Sequence, residues 1–318
     1  MMIIRFLKNW ILPIAMMIGV LSYLIYDAIG FPTEIRSIAS DCATIGQPLL
    51  LFTMLFFTFC KIDITHLRFC KWHFYLMAFQ IVSFILLLIL AKWYHGAESM
   101  ALIEGLALCI ICPTATSASV ITRKLGGNAE RLITYTILIN LCIAILIPLC
   151  VPILHAEEGI SFLTAFITIL GKVFPLLLLP LLCAYIIRSF FPKLHALCTR
   201  YPDISFYLWA IALTVAVSLT TKAVVHSNVP LWVQIGLGTG SLIACLLQFY
   251  IGRRIGKPYG DVIAGGQSLG QKNTVLAIWI GITFFTPVSA MAAGFYSIWH
   301  NLVNSYQLYQ QRKKEGAL

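Results

Sequence analysis

GGQSLGQKN, residues 265–273, sits inside a segment otherwise apolar enough to cross a membrane, and it sets Lys272 near the centre of that segment. A charge at bilayer depth is costly and marks function by default. Earlier in the chain CPTATSAS, residues 112–119, interrupts another apolar segment with proline and small hydroxyl residues. Two polar interruptions in separate apolar segments are the sequence mark of a secondary transporter.

Composition agrees with this solvent. With 60 % hydrophobic and 11 % charged residues, and a mean hydropathy of +0.90, the chain has too little polar surface for water. The expected class is an all-α polytopic membrane protein. Apolar stretches long enough for a ~30 Å hydrocarbon core, about 20 residues each, predict ten transmembrane helices. They begin near Asn9, Ile38, His73, Ala101, Leu132, Leu163, Ile204, Val229, Val262 and Pro287. Connections such as 31–37 and 155–160 are too short for a soluble domain, so residues 1–318 form a single membrane transport domain. Helical spans rather than a barrel imply a multi-pass protein of a bacterial inner (plasma) membrane.

Charge orients the spans, because cytoplasmic loops collect Lys and Arg. With the amino terminus inside, 17 of the 22 basic residues fall on the cytoplasmic side, among them Arg5, Lys8, Lys61, Lys124, Lys257 and Arg312. Both termini are then cytoplasmic. The net charge of +10 is accounted for by topology, and a nucleic-acid partner is not expected. No small-residue cleavage site follows Ala28, so the first span is expected to stay uncleaved. The ten cysteines are dispersed and nearly all lie inside spans. The lone CxxC of Cys109 and Cys112 has no histidine or second pair nearby, and packing is its expected role.

Ten spans divide into five and five, and an odd number per half reverses the second half in the membrane. The expectation is a first five-helix repeat over 1–157 and a second, inverted one over 158–318, with broken, crossing helices four and nine. Phe79 and Gln80 in the third span echo Gln248 and Phe249 in the eighth. Interrupted backbone at membrane depth must face protein or a water-filled cavity. Half-helix amino ends carry positive partial charge and exposed carbonyls negative, so crossed breaks make a site for an anion, a cation or both. The first break offers Pro113, Thr114, Thr116, Ser117 and Ser119. The second offers Gly265, Gly266, Gln267, Ser268, Gly270, Gln271, Lys272 and Asn273. Asn140, one turn beyond Thr136, either lines this site or bonds a neighbouring helix. Gln248, His300 and Asn301 are expected to hold helices together.

On these stretches the chain resembles the bile acid:sodium symporter family. CPTATSASVITRKLGGN (112–128) is similar to the family's Cys-Pro-Gly-Gly-Thr-Ala-Ser-Asn-Val pattern followed by a Gly-Asn loop. SLGQKNT (268–274) is similar to Glu-Val-Gly-x-Gln-Asn-Ser, and YSIWHNLVNS (296–305) to its Tyr-x-x-Trp-His-Asn ending. The resemblance implies ten spans as two inverted repeats, crossed fourth and ninth spans, and transport of an organic anion with two sodium ions. By that correspondence Gln80 and Thr136 match sodium-binding positions and Asn273 matches a family asparagine. The Ser-Asn pair falls on Ala118 and Ser119, a later serine on Leu132, and the ninth-span glutamate on Ser268. A shift of one residue puts Gln267 there instead, and neither alignment restores a carboxylate. A glutamine of the second ion site is replaced by Lys272. Sodium, a hard cation, needs oxygen ligands; Gln80, Thr136 and Gln271 are the candidates, and no other cofactor is expected.

Lys272 has no evident counter-ion in the sequence, and desolvation penalises its charge. It is a built-in substitute for sodium, a proton carrier, the partner of an anionic substrate, or a residue solvated in a cavity. The acidic residues nearest span interiors are Asp41, Glu104 and Asp261, each nearer an end. The expected function is secondary active transport of a small organic anion, bile-acid-like or another carboxylate or sulfonate, by alternating access. The alternatives are a sodium-dependent symporter with a rearranged ion site and, less favoured, a channel, which needs a continuous polar path. HExxH, GxSxG and paired intramembrane aspartates are missing, so an enzyme is not expected. Substrate and lipid bilayer are the partners read here; no protein partner is.

Overall fold

The structure is a computed structural model that describes residues 2–61, 67–94, 96–155, 160–201 and 204–314, with side chains from Pro13 onward apart from Phe206. The described residues form α1 (Met2–Ile29), α2 (Thr33–Phe59), α3 (Lys71–Trp93), α4 (Ala97–Ile111), α5 (Ala118–Lys124), α6 (Ala129–Leu154) and α7 (Phe162–Phe190). They continue as α8 (Pro192–Thr199), α9 (Ile204–Val225), α10 (Leu231–Gly256), α11 (Val262–Gly270), α12 (Thr274–Phe284) and α13 (Pro287–Lys314). A 3₁₀ turn over Lys257–Tyr259 precedes α11. Among them, six helices are long and apolar enough to cross a membrane: α2, α3, α6, α7, α9 from Tyr207, and α10 continued to Tyr259. The remaining four expected spans coincide with α1, α4 with α5, α11 with α12, and α13. The side chains of Arg5 and Lys8, and the 157/158 division, lie outside the described residues.

The helices' outer faces are strongly apolar. Leu86, Ile89, Ile211, Ile243 and Leu247 are all exposed, a pattern that belongs in lipid rather than water. Trp93, 76 % exposed at the end of α3, has the place of an interfacial aromatic.

Contacts divide the chain into two compact units, one of Met1–Lys61 with Leu179–Asn228, the other of Ile62–Leu178 with Val229–Leu318. Each draws on both halves of the sequence. In the first, α1 packs on α9 through Ala15, Ala210, Leu213 and Val217, and Thr214 Oγ1 donates to the Ala15 carbonyl at 3.2 Å. Small residues let these two helices approach closely, the common device of packing in lipid.

The second unit holds α3–α6 and α10–α13. Here α11 lies against α10 with almost no side chain between them. A Cβ on Gly252 would stand 2.3 Å from the Gly265 carbonyl oxygen, and one on Gly265 2.4 Å from that of Gly252. The glycines of residues 265–270 therefore serve helix contact. Gly265–Gly270 remain helical, and the second break is narrower than the sequence suggested, confined to residues 271–273.

Candidate functional site

Proline ends the first broken helix. Cys112, held before Pro113 at φ −52°, ψ 138°, cannot stay in the α region because the proline ring crowds it, and Pro113 has no N–H to continue the ladder. The Cys112 N–H makes the last helical bond, to Leu108, and the chain turns helical again only at Ala118. The second broken helix ends at Gln271 (φ −94°, ψ 98°). α12 then starts under a side-chain cap, with the Asn273 Oδ1 accepting from the Leu276 N–H at 3.3 Å.

The two interruptions cross. Thr114 and Lys272 form an isolated antiparallel bridge, in which Ala115 N–H donates to the Gln271 carbonyl and Asn273 N–H to the Pro113 carbonyl, both at 2.8 Å. Each break thus satisfies backbone groups that the other has freed, where lipid offers no partner. The side chains reciprocate. Thr114 Oγ1 donates to the Ser268 carbonyl at 2.6 Å, and Lys272 Nζ to the Ile110 carbonyl at 2.9 Å. Ser268 stands four residues before Lys272, and Ile110 four before Thr114, so the two contacts have the same connectivity.

A second layer covers the same carbonyl ends. The Gln80 amide donates to the carbonyls of Ile110 at 2.8 Å and of Ile111 and Cys112 at 3.3 Å, and its oxygen accepts from the Tyr135 hydroxyl. Beside the other break, Tyr296 Oη donates to the Gly270 carbonyl at 2.8 Å, and the Gln248 amide donates to Tyr296 Oη at 3.1 Å and to the Cys109 carbonyl at 3.2 Å. One turn on, Asn140 donates to the Thr136 carbonyl and Asn301 to that of Ser297, each at 2.7 Å. Tyr135, and the role of Tyr296 on a carbonyl, escaped the sequence reading. Their signal is YTILIN (135–140) matched by YSIWHN (296–301).

The remaining candidates are spread around this crossing. Lys272 is 1 % exposed and, among the described residues, has no carboxylate at ion-pair distance; the thiols of Cys109, Cys112 and Cys245 are its neighbours. Ser117 accepts from Gln271 Nε2 at 2.9 Å. Ser119 donates to the Thr116 carbonyl at 3.1 Å; both are half-buried. Gln267 points into α13, donating to Asn304 and Gln307 at 3.0 Å. Ser268 Oγ, Gln271 Oε1, Asn140 Oδ1 and Asn273 Nδ2 are buried with no hydrogen-bond partner in the protein. Of the sodium candidates, Gln80 has both amide atoms engaged, Thr136 donates to Leu132 at 3.0 Å, and Gln271 alone has a free oxygen. Among the described residues no three His, Cys, Asp or Glu side chains converge on a metal position.

Two buried carboxylates lie in the same unit, away from the crossing. Asp261, before α11, accepts from Trp72 at 2.8 Å and pairs with Arg131 at 2.5 Å. Glu104, eight residues into α4, is 0 % exposed. It is thus enclosed between helices, although the sequence put it near the end of its span.

Apolar helices with two broken members whose interruptions cross define a membrane transporter, not an enzyme. The chain belongs to the SBF-like CPA transporter family, whose profile matches residues 59–302. It is also similar to the uncharacterized sodium-dependent transporter YocS of Bacillus subtilis (strain 168), 27 % identical over 220 residues. That match covers 67 % of this chain and 66 % of the relative, just under two thirds of its length.

Proposed function

We propose that the chain is a secondary active transporter of a small organic anion, working by alternating access about the crossing, with Lys272 standing where a bound cation would otherwise sit. One observation carries this: the Lys272 ammonium donates to Ile110 at the carbonyl end of α4, beside Gln80. A helix carboxyl end bears roughly half a negative charge, and a full positive charge held there by the protein makes a mobile cation redundant. The substrate reading rests on charge. Among the described residues no carboxylate stands at the crossing to repel an anion, and the amino end of α12 favours one. Bile-acid-like compounds and other carboxylates or sulfonates fit that description.

The architecture in this proposal is ten spans in two inverted halves, 1–157 and 158–318, in a bacterial inner membrane with both termini cytoplasmic. The reciprocal Thr114 and Lys272 contacts, the paired Gln–Tyr layers and the YTILIN–YSIWHN echo support the repeat. In the make-up of the units, expected spans one and two group with seven and the end of six, and three to five with eight to ten and the start of six.

A sodium-dependent symporter with a rearranged ion site is the second reading. The name of YocS favours it, as do the unpartnered oxygens of Gln271, Ser268 and Asn140. Uptake of a panel of labelled organic anions, bile acids included, into proteoliposomes separates the two when sodium is exchanged for potassium. Wild-type uptake is expected to be indifferent to sodium, and Lys272→Gln, which restores the residue of the resembled family, is expected to make it sodium-dependent. An unchanged ion dependence in Lys272→Gln overturns the role given to Lys272, and flux that fails to saturate points to a channel.

A further inference from the structure

Far from the crossing along α4, the Glu104 carboxylate is fully buried, and its two oxygens face different residues. Ser289 Oγ donates to Oε2 at 2.8 Å, and His155 Nε2 stands 2.9 Å from Oε1, at ion-pair distance but without hydrogen-bond geometry. The three residues come from different elements: Glu104 from α4, Ser289 from the first turn of α13, and His155 from the cap of α6. Ser289 is itself tied to Thr286, whose hydroxyl lies 2.7 Å from Ser289 Oγ and accepts from the Ser289 N–H at 3.0 Å. The carboxylate is therefore wired into the amino end of α13, where helix polarity favours negative charge. His155 also packs edge-on against Phe285, the residue after α12, with ring centroids 5.6 Å apart.

The surroundings are tight and apolar. A Cβ on Gly105 would stand 2.7 Å from Leu237 of α10 and 2.9 Å from Ala292 of α13, so this turn of α4 is packed closely against both helices on that side. Of the elements packed against α4, the described parts of α10, α12 and α13 bring no charged side chain to this turn. α3 brings Lys92, which is exposed, and α4 itself has Glu98, half-buried in its first turn. His155 is the one titratable partner of Glu104 among the described residues, and its side chain is 30 % exposed whereas that of Glu104 is 0 % exposed. A half-open imidazole in contact with a closed carboxylate has the layout of a relay: water reaches the first and only the first reaches the second.

We propose that Glu104 and His155 form a proton-binding site whose occupancy is coupled to transport, an inference that rests on the transporter reading above. With neutral imidazole the pair carries one net negative charge inside the protein. A proton from water adds to the free imidazole nitrogen, giving imidazolium beside carboxylate and no net charge; release reverses this with no other reactant. An uncompensated buried charge is costly to carry through a low-dielectric region, and a neutralised pair is far less so. The proton-loaded pair is thus the form in which the unit can change its exposure. Lys272, in contact with Ile110, does the complementary task of neutralising the crossing without an exchangeable cation.

Two measurements on the full chain in liposomes test this. The first is infrared difference spectroscopy between acid and neutral pH, with no substrate present. Wild type is expected to show imidazole and carboxylate bands that titrate together, lost in Glu104→Gln and displaced along the pH axis in Ser289→Ala, which keeps both titrating groups. Identical difference spectra for wild type and Glu104→Gln overturn the proposal. The second compares counterflow of a labelled bile acid with its accumulation under an imposed pH gradient. Glu104→Gln, which is neutral without a proton, is expected to keep counterflow and to lose gradient-driven accumulation, down to the level seen without a gradient; His155→Gln, which leaves the carboxylate uncompensated, is expected to lose both. Accumulation that still follows the gradient in both variants also overturns it. Absence of counterflow in wild type is a different failure, that of the transporter or substrate reading, and leaves the infrared result to decide on Glu104 and His155.

Discussion

The carbonyl end of α4 meets an ammonium and an amide, from Lys272 and Gln80, whereas the carbonyl end of α11 meets two hydroxyls, from Thr114 and Tyr296. The geometry around the two ends is alike, down to donors that land four residues before the opposite crossing position. Their electrostatics differ. A hydroxyl satisfies a carbonyl's hydrogen bond but leaves the partial negative charge of the helix end in place, and an ammonium cancels it. One crossing arm therefore carries a built-in charge, while the other keeps its negative end and has unpartnered oxygens on Ser268 and Gln271 within or just past its last turns. Matched frames with unmatched charges are what a transporter needs if one arm is to stay set and the other is to respond to a ligand.

Removing the charge should break this comparison most severely. Lys272→Met is expected to cost about 2–3 kcal/mol, the upper range for a hydrogen bond to a charged group, read as a fall in the melting temperature of the purified protein in detergent. The size follows from burial. Ile110 keeps the Gln80 donor in this variant, but the carbonyl end of α4 loses the compensating charge of a side chain that is 1 % exposed. A Lys272→Met protein as stable as wild type would mean that the ammonium is already well solvated and that the two arms are electrostatically equal.

The tyrosines probe the second layer. Tyr135→Phe leaves the Gln80 oxygen buried without a donor, and Tyr296→Phe removes the hydroxyl from the Gly270 carbonyl, while the Gln248 amide keeps Cys109. Both are expected to destabilise by about 1–2 kcal/mol, the range for one buried group left unmet. Tyr135→Phe should also lower transport more than Tyr296→Phe, because Gln80 shares the Ile110 carbonyl with Lys272 and a loosened amide moves the ammonium. Equal effects on transport would sharpen the comparison differently, by making the second layer purely structural in both arms.

How much of this was legible in the sequence depends on what each residue had to signal. Lys272 and the proline break could be read because a charge or a proline in an apolar run has few explanations. Six of the expected spans coincide with described helices long and apolar enough to cross a membrane, because hydropathy follows directly from the solvent. The glycines misled in part: Gly265, Gly266 and Gly270 read as broken backbone, and the structure uses Gly265 for contact with Gly252, which no local pattern reveals. Tyr135 and Tyr296 were hidden for the opposite reason, since an aromatic residue in an apolar helix looks like packing until its hydroxyl is seen on a carbonyl. Glu104 read as an end-of-span charge because its enclosure depends on contacts with Ser289 and His155, which lie far away in the sequence.

The smallest expected effect belongs to Thr114→Val, and it decides what the larger ones mean. Valine keeps the shape of threonine and removes only the hydroxyl that donates to Ser268 at 2.6 Å. The cost expected is about 1 kcal/mol, that of one neutral hydrogen bond, because the partial charge on the α11 end is the same before and after. The difference between this figure and that for Lys272→Met, measured in the same detergent, isolates the contribution of charge from that of bonding. If the two variants fall equally, the ammonium acts at Ile110 only as another hydrogen-bond donor, and the case for Lys272 as a resident cation goes with it. If Thr114→Val is mild, and Thr114→Val combined with Lys272→Met costs more than the sum of the two, the arms support each other through the shared bridge. Both ends must then be covered for the crossing to hold its geometry.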